Sequence, residues 1–399
     1  MKYNFDERIN RLGTYCTQWD YIEDRFGEKD LLPFSISDTD FLCPPELLQA
    51  MESRMQHGIF GYTRWNHSEF KGAIRHWFNK RFDCPIEEDW IVYSPTVIYS
   101  ISKLIELLTE EGDHIVTQTP AYDAFYKLIQ DNNRTLSCNA LVNHDGVYTI
   151  DFEDLEAKLS HPKAKILLLC SPQNPTGRVW TKEELDRIIS LCNKHDVYII
   201  SDEIHMDIVH GSNPHIPITK AATDVSKVCI CTSASKTFNT PGLSGSYNII
   251  PDEALREEFL ITLKNRDGIS CASVFGTLST ITAYEHCNQW VDELNAYVKE
   301  NLKLVQTFLE ENVPAARLVM PESTYLAWID VSKLPYSSDE LQHALVHHAK
   351  VAIMPGETYG EDAKGYIRMN VGCPREKVEE GLRRFKMGIE YLQTSTTQI

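Results

Sequence analysis

The chain has 399 residues, 42% of them hydrophobic and 24% charged, with a net charge of −18. That length exceeds what one hydrophobic core usually holds, so two domains are expected. The acidic balance, with no basic block and no stripe of interleaved aromatic and basic residues, argues against nucleic acid and against an anionic membrane surface as partners.

The opening MKYNFDERINR is polar and lacks the apolar middle of a signal peptide. The chain has no run of about 18 apolar residues, the length a membrane span needs. A cytoplasmic location is the expectation. The 11 cysteines are odd in number and form no CxxC pair. Several, including Cys170, Cys192, Cys229 and Cys231, sit in apolar runs, so reduced and buried thiols are expected.

From about 90 to 250, short apolar runs alternate with helical patterns. The runs are WIVYS (90–94), HIVTQ (114–118), KILLLC (165–170), VYIIS (197–201) and VCICTS (228–233). Between them, 97–109 puts Ile98, Ile101, Leu104, Ile105 and Leu108 on one helical face. The stretch 182–195 repeats that pattern and opens with Thr181 and Glu184 at capping-box spacing. Near-continuous apolar strands alternating with helices predict an α/β domain with a mostly parallel sheet. From about 289 the texture changes to long helical stretches (289–312 and 338–349) around a strand-like YLAWID (325–330), which reads as a smaller α+β domain. The division expected is a large domain over 49–288 and a small domain from 1–48 with 289–399.

In open α/β sheets ligands bind beyond the carboxyl ends of the strands. Each run here is followed by polar or aromatic residues: PTVI (95–98), TPAYDAF (119–125), SPQNPTG (171–177), DEIHMD (202–207) and ASKTFN (234–239). A lysine amine at such a rim, Lys236, suits a Schiff base. Asp202 can pair with a cationic ring nitrogen, and Asn174 can donate to a phenolate. Tyr122 can lie flat on an aromatic ring. The helix start at 96–98 offers amides to a phosphate, and Ser233 and Ser235 add hydroxyls. Pyridoxal 5′-phosphate carries all the matching groups.

Each residue has a plainer reading on its own. Lys236 alone reads as a snorkelling surface lysine. Asp202 suits a strand-end turn or helix cap, and Asn174 before Pro175 a turn. Tyr122 and Tyr62 suit core positions, and Arg368 a surface ion pair. It is their convergence on one rim that favours the site. Asp202, Glu203, His205 and Asp207 fit no strong metal pattern, and His343, His347 and His348 lack HExxH and read as a solvated helix face.

The segments SPQNPTGRVW, SDEIH and SASKTFNTPGL, with FGYT (60–63) and PESTYLAW (321–328), resemble the fold-type I pyridoxal-phosphate enzymes. Over roughly 3–392 the chain is similar to the MalY/PatB-type cystathionine β-lyases, a C–S lyase branch of the aminotransferase superfamily. The resemblance implies the aminotransferase fold: a seven-stranded, mostly parallel sheet flanked by helices, plus a smaller α+β domain. It makes Lys236 the lysine that carries the cofactor, with Asp202 at the ring nitrogen, Asn174 at the ring hydroxyl and Tyr122 stacked on the ring. Thr96, Val97, Ile98, Ser233 and Ser235 line the phosphate, and His205 joins the cofactor-binding set. Arg368, in YIRMN, takes the substrate carboxylate, with Asn174 also on the substrate side. Tyr62 reaches in from the neighbouring subunit of a homodimer, as a catalytic and substrate-binding residue.

Three departures stand out. Relatives of the aspartate aminotransferase type carry an arginine eight residues after the lysine, where this chain has Ser244. The family's SPGV is SPTV here, and its PEGTY is PESTY with Ser323. The activity implied is α,β-elimination from an L-cysteine S-conjugate such as cystathionine, giving a thiol, pyruvate and ammonia. An aminotransferase with a 2-oxo acid acceptor is the alternative, and a regulatory binding role is a third reading. The mouth of the site is expected from 34–43, 62–67 and 268–276.

Overall fold

The computed structural model describes residues 1–396. Seven strands form the central sheet: β1 Ile91–Ser94, β2 His114–Thr119, β3 Thr135–Ala140, β4 Ala164–Cys170, β5 Tyr198–Asp202, β6 Val228–Ser233 and β7 Ser246–Ile249. Their order is β1-β7-β6-β5-β4-β2-β3. The pairs from β6 through β3 are parallel, and β7 runs antiparallel to both β6 and β1. The sheet is therefore mostly parallel, as the apolar runs predict. Central strands β4, β5 and β6 are buried almost throughout because helices cover both faces.

Two strands escape the pattern of apolar runs. Strand β3 is the sheet edge and reads TLSCNA with most side chains exposed or half-exposed, so it has little apolar signal. Strand β7 has four residues, with Asn248 fully buried among them.

Helix α1 (Val97–Leu108) follows β1 and buries Val97, Ile101, Leu104 and Ile105, each worth about 1.5–3 kcal/mol of burial. Ile98 departs from the expected face and borders a cavity instead. Helix α2 (Asp123–Asp131) follows β2. Helix α3 (Lys182–Lys194) has the full capping box: Glu184 N–H donates to Thr181 Oγ1 at 3.2 Å, and Thr181 N–H donates to Glu184 Oε2 at 2.8 Å. Helices α4 (Val274–His286) and α5 (Asn288–Asn312) lead to a second sheet. Its strands are β8 Arg317–Leu318, β9 Leu326–Asp330, β10 Met354–Pro355 and β11 Tyr366–Asn370, in order β8-β9-β11-β10, and all its pairs are antiparallel. Helix α6 (Arg375–Thr396) closes the described chain.

The early segment 32–41 crosses between the two sheets. Leu32–Pro33 pairs in parallel with Val351–Ala352, and Asn370 N–H donates to Phe34 O at 3.0 Å. All 11 cysteines are free thiols, and Cys170, Cys192, Cys229 and Cys231 are buried as expected.

Candidate active site

Beyond the carboxyl ends of β1, β4, β5 and β6 lies a cavity of about 290 Å³. Its wall includes Thr96, Val97, Ile98, Tyr122, Asn174, Asp202, His205, Ser233, Ser235, Lys236 and Arg368. Thus every site residue expected from the sequence except Tyr62 meets in one space. Tyr62 is 97% exposed on the surface of its own chain.

Lys236 sits in the single helical turn Ser235–Phe238 that follows β6. Its Nζ donates to Ser37 O at 2.5 Å. Burial lowers its pKa to about 8, against the opposing pull of Asp38 and Asp202. Asp202 ends β5 and is nearly fully buried. Burial raises its carboxyl to about 7, although the Ile204 amide donates to Oδ1 at 3.1 Å and the Lys236 charge favours the anion. Among the described residues this carboxylate has no cation at ion-pair distance, so it is held ready for one that the chain does not itself supply. His205 is pushed down to about 3, first by burial and then by the charges of Lys236 and Arg368. Among the described residues its buried Nδ1 has no hydrogen-bond partner.

The carboxylates after Asp202 are engaged by other groups of the protein. Glu203 is bound by His215 Nε2 at 2.9 Å and by Ser201 Oγ, and Asp207 accepts from Trp77 Nε1 at 2.9 Å and Thr237 Oγ1 at 3.2 Å. His343, His347 and His348 lie where the sequence predicts a solvated face. His348 nevertheless stacks on Tyr391 with ring centroids 3.6 Å apart.

Arg368 comes from β11. Its Nη1 donates to Asn174 Oδ1 at 3.1 Å and its Nη2 to Ser35 O at 2.9 Å, while its guanidinium lies 4.4 Å from the Tyr359 ring centre. Among the described residues its buried Nε has no partner, so a donor remains for an anion. Tyr122 precedes α2, half-buried, and burial raises its phenol pKa.

At the other end of the cavity, Thr96 caps α1. Its φ of −147° is ordinary extended backbone, so the glycine of the family's SPGV is not needed here. Thr96 Oγ1 accepts from Tyr99 N–H at 3.1 Å, which leaves its own proton free to donate. The Val97 and Ile98 amides open the helix toward an anion. Ser233 is already engaged: its Oγ donates to Gly245 O at 2.7 Å and accepts from Ser235 N–H at 3.1 Å. It shapes the wall rather than offering a proton.

Ser244, in the place of the arginine, adopts φ 53° and also lines the cavity. That wall is fixed by a backbone crossing on α4. A Cβ on Gly245 would lie 2.6 Å from Gly276 O, and one on Gly276 would lie 2.6 Å from Leu243 O. Ser323 of PESTY is fully buried and donates to Gly177 O at 2.9 Å, while Thr324 takes the left-handed φ of 66°. The positive φ of this turn thus falls on Thr324 and not on Ser323, so serine there carries no left-handed strain.

Sequence reasoning places 34–43 at the mouth but misses how this roof is held. Ser35, Ile36 and Ser37 cover the cavity, and their carbonyls are held by side chains from both sheets. Ser37 O also accepts from Tyr325 Oη at 2.9 Å. Asn370 Nδ2 donates to Ile36 O and Asp38 O, each at 2.6 Å. Asn239, three residues past the lysine, donates to Thr39 O and Phe41 O at 2.9 Å. Of the three segments expected at the mouth, only 34–43 borders the cavity within the chain. Arg25 and Tyr359 are also missed, because no motif marks them, and Asp123 is given no role although it lies in the rim segment TPAYDAF.

The family model described as "Aminotransferase class I and II" matches residues 29–385. Protein MalY of Escherichia coli is 47% identical over 95% of this chain and 97% of its own length. Cystathionine beta-lyase PatB of Bacillus subtilis is 37% identical over 97% of this chain and all of its own. This chain belongs to the class I and II aminotransferase family, in its MalY/PatB-type C–S lyase branch. A pyridoxal-phosphate-bound C–S lyase from Staphylococcus hominis superposes with a TM-score of 0.91 at 32% identity, covering 98% of both chains.

Pyridoxal phosphate is the cofactor of this fold-type I family, and the donor set fits it. A buried carboxylate without a cation, a lysine with a lowered pKa and a capped helix start border one cavity. They would meet the ring nitrogen, the aldehyde and the phosphate respectively.

Proposed function

We propose that this protein cleaves the C–S bond of L-cysteine S-conjugates such as L-cystathionine by α,β-elimination, giving a thiol, pyruvate and ammonia. The observation that carries this is the meeting of Lys236, Asp202 and Arg368 in one cavity, with the Lys236 amine at about 8. The name of the PatB relative supports the choice of a sulfur substrate.

Pyridoxal phosphate, when bound, supplies the electron sink that acidifies the substrate Cα–H and lets a β-substituent depart. Arg368 holds the substrate α-carboxylate, its plane fixed by the Tyr359 ring and by Asn174. A lysine near 8 is partly unprotonated at neutral pH, so Lys236 Nζ can accept the Cα proton as a general base. Asp202, itself buried, would hold a cationic ring nitrogen in its charged form. Tyr122, on the cavity wall, would pack against one face of the bound ring.

The working unit we propose is a cytoplasmic homodimer with the large domain over 49–288. Tyr62 at 97%, Ile59 at 67% and Phe60 at 54% exposure form an uncovered apolar and aromatic edge that a second copy would bury. Light scattering on the purified protein checks this, and a fully active monomer would remove Tyr62 from the site.

The test of the reaction is incubation with L-cystathionine and no 2-oxo acid. Equal amounts of thiol and pyruvate are expected. Turnover that appears only when a keto acid is added would make the protein an aminotransferase instead.

A further inference from the structure

Arg25 and Asp123 both line the cavity, yet neither has a part in the chemistry above. Arg25 stands on the exposed short helix Ile22–Phe26. The one hydrogen bond of its side chain among the described residues runs from Nη1 to Met354 Sδ at 3.6 Å. A thioether is a weak acceptor for a guanidinium. Asp123 opens α2, and among the described residues its carboxylate accepts no hydrogen bond and meets no cation at ion-pair distance.

Both charges act on the same two phenols. At Tyr122 and at Tyr359, Asp123 favours the neutral hydroxyl and Arg25 the ionised one. The two groups therefore face one stretch of the wall without neutralising each other. Arg25 also borders a second hollow of about 410 Å³, which shares Ser35 and Ile36 with the first. The space thus runs from buried Arg368 outward to exposed Arg25. An acidic residue in the first turn of a helix has a structural use of its own. That use accounts for Asp123 but not for an unpaired guanidinium on the same cavity.

A carboxylate and a guanidinium left separate at one end of a pocket are complementary to a zwitterion. We propose that Arg25 and Asp123 receive the distal amino-acid end of a thioether substrate, Arg25 its carboxylate and Asp123 its ammonium group. This rests on the elimination reading and narrows it. Conjugates whose leaving thiol is itself an amino acid, as in L,L-cystathionine, gain both contacts, and S-alkyl cysteines gain neither.

The experiment compares L,L-cystathionine with S-methyl-L-cysteine in the holoenzyme and its Arg25→Ala and Asp123→Asn variants. Arg25→Ala is expected to lower kcat/KM for cystathionine by about tenfold or more, mainly through KM, as for a lost charge-assisted bond. S-methyl-L-cysteine has no distal end, and its kcat/KM is expected to move by less than about twofold. Asp123→Asn should show the same pattern at about threefold. Equal losses on both substrates, or no loss on cystathionine, would overturn the assignment. Calorimetric binding of the all-carbon isostere of cystathionine, against L-norvaline, gives a readout without turnover. Arg25→Ala should weaken the isostere and leave norvaline unchanged. If the wild type cleaves neither thioether, the elimination reading falls, and the isostere still decides the role of Arg25.

Discussion

The floor and the roof of the cavity are built by different means. The floor is a row of side chains set on the ends of buried strands: Asn174 after β4, Asp202 on β5, and Ser233 and Lys236 at the end of β6. The roof is a strip of main chain, 35–41, whose carbonyls are gripped by Arg368, Lys236, Tyr325, Asn370 and Asn239. Strands fix the floor through a shared hydrophobic core. The roof is fixed by polar bonds, each worth about 0.5–1.5 kcal/mol. Chemistry therefore belongs to the floor, and access and fit belong to the roof.

Substitutions on the two surfaces sharpen that contrast. Lys236→Ala should cost the most, lowering kcat by at least about 10³-fold through loss of the base, with folding intact by circular dichroism. Asp202→Asn comes next. A carboxylate about 4 Å from a cationic ring nitrogen is worth roughly 4 kcal/mol at an effective dielectric near 20, or about 10³ in rate. In steady-state kinetics the loss should fall on kcat more than on KM.

Asp202 also makes a pH prediction for protein freed of cofactor. Its folded pKa of about 7 lies above the unfolded value of about 3.9, so the folded state binds the proton more tightly. The stability it contributes is complete below the unfolded value and is lost as pH rises through about 7. Asp202→Asn should therefore flatten the fall in melting temperature between these limits. A wild-type profile identical to the variant's would mean that the carboxyl is not so buried.

Asn370→Ala tests the roof. It frees two carbonyls and should cost about 1–3 kcal/mol in denaturant unfolding, with KM raised more than kcat lowered. If instead kcat fell as far as in the floor variants, the division between the two surfaces would fail. Thr96→Ala should be mildest, at about 1 kcal/mol of stability from the lost cap, with weaker cofactor retention on dialysis.

The same contrast explains which parts of the site are legible in the sequence. A polar residue within a few positions of the end of an apolar run is visible in one dimension, so Lys236, Asp202 and Asn174 stand out together, though none of them does alone. The roof offers peptide carbonyls, which every residue has, and nothing in SISDTD marks them as ligands. Strand β3 is hidden because an edge strand need not be apolar. Arg25 lies far from the motifs in sequence, and the pairing of Leu32–Pro33 with Val351–Ala352, which ties its segment to the small domain, is a contact between distant parts of the chain. Ser233 is legible in position but not in role, since the hydrogen bond to Gly245 O exists only after folding.

The crossing of Gly245 over Gly276 makes a helix outside the pocket into a gauge for the pocket's width. Neither glycine can acquire a methyl group without moving main chain, so the two strands of polypeptide must separate or the substitution must fail. Alanine at 276 would shift the Ser244–Ser246 wall and would be felt first as poorer anchoring of a bound anion. Enlarging one member of the pair could not be rescued by trimming the other, which is already at the minimum size the genetic code permits.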